Sequence, residues 1–113
     1  MKKWIISLLV LVAFPVWAQF LPGTEDIPLM DGLINVEETA SFDNPSERMV
    51  LVAAETKLSS KKVYSFYEQT LNNLGWQEVK PHYFKRGNDS FAIEITPSSS
   101  INQVQFRLSQ SNT

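Results

Sequence analysis

The sequence predicts an α+β fold in which one helix packs on an antiparallel sheet of about five or six strands. Three observations support this prediction. Apolar residues recur at helical spacing from Val63 to Leu74, two segments rich in β-forming residues precede them, and three or four short alternating segments follow. Two strands, a helix and then a β-meander are typical of a two-layer α+β domain. We expect this domain to occupy residues 33–109.

The first eighteen residues have the layout of a secretory signal peptide. Lys2 and Lys3 precede the uncharged apolar run WIISLLVLVAF, Pro15 interrupts that run, and Ala18 supplies a small residue for cleavage. The apolar stretch is shorter than the roughly 20 residues that a membrane-spanning helix needs. We therefore predict cleavage after Ala18 and export to the periplasm or beyond, with membrane contact only through the signal peptide.

The chain contains no cysteine. Disulfides, thiol catalysis and a lipoprotein anchor are therefore excluded, and packing alone must hold the small domain together. Charge is unevenly distributed, because residues 19–47 contain seven acidic and no basic residues, whereas residues 48–113 contain eight basic and five acidic ones. The acidic segment either pairs with the basic remainder of the same domain or meets a charged partner.

Residues 19–32 form a lead-in that proline and glycine interrupt and that shows no periodicity. We expect it to be extended. Its apolar residues either fold across the domain to cover the core or dock onto a partner.

A hairpin is predicted next. LINVEETASF alternates imperfectly, with a slip before Phe42, and a turn cluster from Asp43 to Ser46 separates it from RMVLVAAET. Both faces of this second strand are apolar, which predicts an interior position in the sheet.

The helix that follows has clear start and stop signals. Ser59 is the predicted N-cap, preceded by Leu58 as a hydrophobic staple, and Gly75 is placed for a left-handed C-terminal cap. This cap brings Trp76 against Leu71 in the core. The predicted core-facing residues are Val63, Phe66, Tyr67, Thr70, Leu71 and Leu74.

The meander comprises WQEVK, a turn at Pro81-His82, YFKR, a tight turn at residues 86–89, and the alternating segment SFAIEITP. A serine turn at residues 98–100 leads to a last strand in which Val104, Phe106 and Leu108 point inward. Residues 110–113 are predicted to be a disordered tail.

No catalytic, cofactor or metal site is predicted. His82 is the one histidine, in a predicted exposed loop, so a two-histidine metal site is excluded and any catalytic triad would have to use this residue. The four glycines are too far apart for a phosphate loop, and the acidic lead-in lacks the spacing of a calcium site.

Two features favour binding instead. Basic residues near the helix start and in the meander form a candidate surface for an anionic envelope component, and apolar residues of the lead-in form a candidate docking segment. The candidate partner-binding residues are Ile27, Leu29, Met30, Lys61, Lys62, Lys85 and Arg86.

Three motifs resemble those of small exported bacterial domains of uncharacterised function. They are DIPLMDGL from Asp26 to Leu33, V-x-x-F-Y from Val63 to Tyr67, and L-x-x-L-G-W from Leu71 to Trp76. The resemblance implies a fold and an exported location, and it transfers no active site.

We therefore predict a non-catalytic, soluble exported protein that binds another protein or an envelope component, with no cofactor and no nucleic-acid partner. Two alternatives stay open, namely a small hydrolase-like enzyme that uses His82 and an inhibitor that inserts its N-terminal segment into a partner. The oligomeric state is open as well.

Overall fold

The structure is a computed structural model that describes residues 19–24 and 26–111. The predicted signal peptide, Glu25 and residues 112–113 lie outside the described residues. Within them the predicted fold class is confirmed, because one helix and a six-stranded antiparallel sheet follow one another in the order ββαββββ.

The sheet contains six strands in the spatial order β1-β2-β6-β5-β4-β3. Their bounds are β1 Leu33–Asp43, β2 Glu47–Thr56, β3 Gln77–Lys80, β4 Tyr83–Arg86, β5 Asp89–Pro97 and β6 Asn102–Ser111. Because β2 lies between β1 and β6, its predicted interior position is confirmed. The edges of the sheet are β1 and β3.

The helix, α1, extends over Ser60–Asn73 and its predicted caps are confirmed. The hydroxyl oxygen of Ser59 accepts a hydrogen bond from the amide of Lys62 at 3.1 Å. At the other end Gly75 has a φ of 94°, and the amide of Trp76 donates to the carbonyl oxygen of Leu71 at 2.9 Å. This hydrogen bond is that of a Schellman cap, which turns the chain so that Trp76 enters the core.

The core lies between α1 and one face of the sheet, which we call the inner face. Val63, Tyr67 and Leu71 of α1 are fully buried, and the ring of Tyr67 meets that of Phe106 at a centroid distance of 5.3 Å. Burying these three helix residues contributes on the order of 6 kcal/mol before the cost of ordering the chain. The inner-face residues buried here are Val50, Val52, Ala54, Phe84, Phe91, Ile93, Val104, Phe106 and Leu108.

The imperfect alternation of the first strand has a structural cause. The register of β1 against β2 shifts between Ile34 and Glu37 and again between Glu38 and Ala40. Each shift is a bulge or irregularity that changes which residues face the core, so period-2 alternation cannot persist along this strand.

Three details differ from the predictions. Leu74 is the C-cap and is 38% exposed, so the core-facing stripe ends one turn earlier than the spacing indicates. The predicted strand WQEVK begins one residue later, at Gln77, and Trp76 belongs to the cap of α1. The last strand continues to Ser111, which pairs with Glu47, so residues 110 and 111 belong to β6 and not to the predicted tail.

Candidate functional site

The lead-in forms a short hairpin, which we call the strap and define as residues 19–24 and 26–32. Phe20 and Pro28 form an antiparallel bridge. The amide of Leu21 donates to the carbonyl oxygen of Ile27 at 2.9 Å, and the amide of Leu29 donates to that of Gln19 at 2.8 Å. The segment therefore has its own backbone pairing, whereas the sequence predicted an extended conformation.

The middle of the strap lies in the core. Leu21 is 1% exposed and Ile27 is fully buried, within the same cluster as the inner face of the sheet. Of the two roles predicted for the lead-in, the structure shows covering of the core. Ile27, a candidate partner-binding residue, is therefore an interior residue in this conformation.

Two arginines hold the tip of the strap. Arg48 on β2 donates to the carbonyl oxygen of Gly23 at 2.6 Å and also to the side-chain oxygen of Gln110. Arg86 on β4 forms an ion pair with Asp26 at 2.9 Å. Gly23 has a φ of 80°, and a Cβ there would lie only 2.8 Å from Cγ1 of Val50. The tip thus fits closely against β2.

The root of the strap is attached to α1 through one side chain. The hydroxyl of Tyr67 donates to the carbonyl oxygen of Pro28 at 2.8 Å and accepts from the amide of Met30 at 3.1 Å. Burial raises the pKa of Tyr67, and the hydrogen bond from Met30 opposes that rise to a smaller extent. The phenol therefore stays protonated and keeps both roles at neutral pH.

A groove of about 510 Å³, the strap groove, opens beside this attachment. One wall consists of strap residues from Pro28 to Gly32 together with Leu33, the first residue of β1, and the other is Phe66 of α1. Leu29, Met30 and Phe66 are half-buried and pack against the core, so each keeps an exposed apolar surface. Gln19 and Asp31 provide the polar side chains of the lining. This arrangement can accept an apolar group of moderate size.

Comparison with known protein families identifies a match. A family described as START domain-like matches residues 36–105, which is more than half of the chain. The chain belongs to the START domain-like family. No curated protein and no solved structure matches it. The strap and the first motif of the predicted resemblance precede the matched residues.

The predicted binding residues of this START domain-like chain are distributed over several surfaces. Leu29 and Met30 line the strap groove. Lys61 and Lys62 are exposed in the first turns of α1. Lys85 is exposed beside the buried Phe84, and successive strand residues point to opposite faces, so Lys85 and Arg86 lie on opposite sides of the sheet. The four basic residues therefore do not form one continuous patch.

His82 has an environment that differs from the predicted exposed loop. It is half-buried, has a φ of 63°, and its ring stacks on that of Tyr64 at a centroid distance of 3.4 Å. The carboxylate of Glu78 accepts from the backbone amide of His82, not from its ring. Acid–base catalysis would use a hydroxyl or carboxylate that is hydrogen-bonded to an imidazole nitrogen. Among residues 19–24 and 26–111, no such hydrogen bond to the ring of His82 is present.

One ion pair, Asp26–Arg86, joins the acidic segment to the basic remainder within the described part of the chain. In that same part, no group of three or more histidine, aspartate or glutamate side chains is placed to hold a metal ion. Among the described residues, no helix has the length and apolar character needed to span a bilayer.

The hydroxyl of Tyr67 is the functional group that the sequence analysis missed. Spacing alone places Tyr67 in the core-facing stripe. A signal was present, because a tyrosine in a buried stripe needs a hydrogen-bond partner for its hydroxyl. The sequence could not show that this partner is the backbone of the strap.

Proposed function

We propose that this START domain-like chain is a non-catalytic, exported binding module that holds the apolar part of an amphiphilic envelope component in the strap groove. START domains typically bind ligands. The observation that carries the proposal is the groove itself, since Leu29, Met30 and Phe66 leave apolar surface open between the strap and α1.

The chemistry of the groove favours an apolar ligand. Each Å² of apolar surface that a ligand covers there contributes about 25 cal/mol. The flexible side chain of Met30 can adapt to the shape of an alkyl chain. The buried hydroxyl of Tyr67 holds the backbone of Pro28 and Met30 in place before any ligand binds. This preorganised groove wall reduces the entropic cost of binding.

The polar end of the ligand is expected to be uncharged. Asp31 is the charged residue of the lining, and a carboxylate there repels an anionic head group. Lys61, Lys62 and Lys85 do not line the groove, so they offer no compensation. This favours a neutral amphiphile over the anionic component that the basic residues suggested.

The test is an NMR titration of the ¹⁵N-labelled protein with octyl glucoside below its micelle concentration. We expect saturable shifts of the amides of Leu29, Met30 and Phe66. The variant Met30→Asp should bind at least about tenfold more weakly, because a charge in an apolar site is costly to desolvate. Phe66→Ser, from the other wall, should weaken binding as well.

Val79→Asp is the matched control, because Val79 is an exposed apolar residue, 52% accessible, on the edge strand β3. It should leave the affinity within about twofold, as expected for a surface substitution. Equal affinities of wild type and Met30→Asp, with folding intact, would contradict the proposal.

Export is proposed on the signal-peptide layout. Gln19 would be the first residue of the mature protein, and its carbonyl oxygen accepts from the amide of Leu29. Cleavage after Ala18 therefore leaves the strap whole. N-terminal sequencing of protein from cells that express the full chain should begin at Gln19, whereas an intact N-terminus at Met1 in the folded protein would contradict export by cleavage.

A further inference from the structure

A second groove lies on the other side of α1, between this helix and the edge strand β3. We call it the acidic groove. It has a volume of about 410 Å³, and Glu68 and Asn72 of α1 and Glu78 of β3 line it together with Trp76 and Phe84. None of its lining residues is basic. It shares no residue with the strap groove.

The charges around this groove favour a cation. Glu68 extends from α1 and Glu78 from β3, so two like-charged carboxylates share one groove lining that contains no basic residue. The groove is also near the C-terminal end of α1, where the helix dipole is negative and the last turn contains no basic residue. Arg86 donates to the carbonyl oxygen of Leu74, but its ion pair is with Asp26 of the strap.

One of the lining residues, Trp76, also carries an unused hydrogen-bond donor beneath the groove surface. Trp76 is 1% exposed, and its indole nitrogen Nε1 is buried with no acceptor. Buried donors normally have a partner, so the indole N–H is a group that a ligand oxygen could satisfy once it gains access to it. The indole ring already stabilises one cation, since the guanidinium of Arg86 lies 4.5 Å from its centroid.

We propose that the acidic groove binds a primary amine that carries a neighbouring oxygen acceptor, as in an amino alcohol. The ammonium group donates to the carboxylates of Glu68 and Glu78, and the oxygen accepts from the indole N–H of Trp76. One oxygen of Glu78 already accepts from the amide of His82, which leaves the other for the ligand. Because Nε1 is covered in the ligand-free protein, binding must move a side chain of the groove wall.

Two carboxylates, rather than the larger oxygen set that a calcium ion takes, favour an ammonium group over a metal ion. A lysine side chain has no oxygen next to its amine, so it cannot satisfy both the carboxylates and the indole. The site is independent of the strap groove, and the octyl glucoside experiment neither supports nor contradicts it.

The probe is ethanolamine, titrated into the ¹⁵N-labelled protein at low ionic strength. The readout is the indole N–H resonance of Trp76, assigned with Trp76→Phe. We expect a saturable shift that added salt weakens. Propylammonium, without the oxygen, should bind more weakly and leave the indole resonance in place, and ethylene glycol should not bind. Glycerophosphoethanolamine, titrated in the same way, shows whether the groove prefers a lipid head group or a free amino alcohol. Tighter binding of either this compound or ethanolamine supports the site.

The variants Glu68→Gln and Glu78→Gln should each weaken ethanolamine binding about two- to fivefold, the range expected for exposed ion pairs. Glutamine at position 78 retains an acceptor for the amide of His82. Glu94→Gln is the matched control, because it makes the same charge change on β5 at the opposite face of the sheet. Equal weakening by Glu94→Gln, or saturation with an unshifted indole resonance, would overturn the proposal.

Discussion

The hydroxyl of Tyr67, in the middle of the helix, donates to the carbonyl oxygen of Pro28 in the strap at 2.8 Å. The same oxygen accepts from the amide of Met30, so one side chain satisfies two backbone groups of a segment far away in sequence. Through this contact the helix sets the position of one wall of the strap groove. The hydroxyl oxygen of Tyr67 therefore contributes both to the stability of the strap and to the shape of the strap groove.

Tyr67→Phe leaves the carbonyl of Pro28 and the amide of Met30 without their partner, which should reduce the free energy of unfolding by about 1–3 kcal/mol. Urea denaturation measures this change, and faster hydrogen exchange at Met30 would localise it. Tyr83→Phe, which removes a hydroxyl with no hydrogen bond in the described structure, should change stability by less than about 0.5 kcal/mol. Equal effects of the two variants would contradict the role of Tyr67.

A pH dependence follows from the raised pKa of Tyr67. The folded state holds the phenolic proton more tightly than the unfolded state, whose tyrosines ionise near pH 10. The stability that this residue contributes is therefore complete below about pH 10 and is lost as the pH rises toward the folded-state pKa. The stability difference between wild type and Tyr67→Phe should shrink above pH 10 in urea titrations. A difference that stays constant to pH 11 would be inconsistent with a buried phenol.

The tip of the strap gives a prediction with an internal control. Gly23 and Gly87 both have a positive φ, but a Cβ at Gly23 meets Val50, whereas one at Gly87 meets nothing within 4 Å. Gly87→Ala should cost about 1–2 kcal/mol from backbone strain alone. Gly23→Ala should cost a further 1–3 kcal/mol or so from the collision. Thermal or urea unfolding compares them, and equal losses would show that the tip is not closely packed against β2.

Arg86 has three partners, which can be separated by substitution. Its ion pair with Asp26 is partly exposed, so Asp26→Asn should cost less than about 1 kcal/mol. Arg86→Met also removes the hydrogen bond to the carbonyl oxygen of Leu74 and the cation–π contact with Trp76, and should cost about 1–2 kcal/mol more. Urea denaturation of both variants at one salt concentration provides the measurement. If Asp26→Asn is as destabilising as Arg86→Met, the contacts with the helix end contribute nothing.

The helix and its caps were predictable because their signals are local. Ser59, Gly75 and the apolar spacing between them lie within about five turns of chain, and each acts through hydrogen bonds or contacts a few residues away. The succession of strands along the chain was predictable for the same reason, since alternation and turn residues mark most of them, but the pairing of β2 with β6 was not predicted.

The strap was not predictable in the same way. Its apolar residues follow neither helical nor strand spacing, and Leu21 and Ile27 are buried only because the hairpin docks on a sheet formed by later residues. The placement of Lys85 and Arg86 on opposite faces, in contrast, follows from the local pleat of the predicted strand YFKR and was therefore predictable from the sequence.

The most direct test of the binding function is a search for intermolecular NOEs between octyl glucoside and the ¹³C-labelled protein. We expect contacts from the alkyl chain to the methyl group of Met30 and the ring of Phe66, which both line the strap groove. Contacts confined to Leu51 and Ala92 on the opposite face of the sheet, or saturable binding with none to Met30 and Phe66, would contradict this expectation.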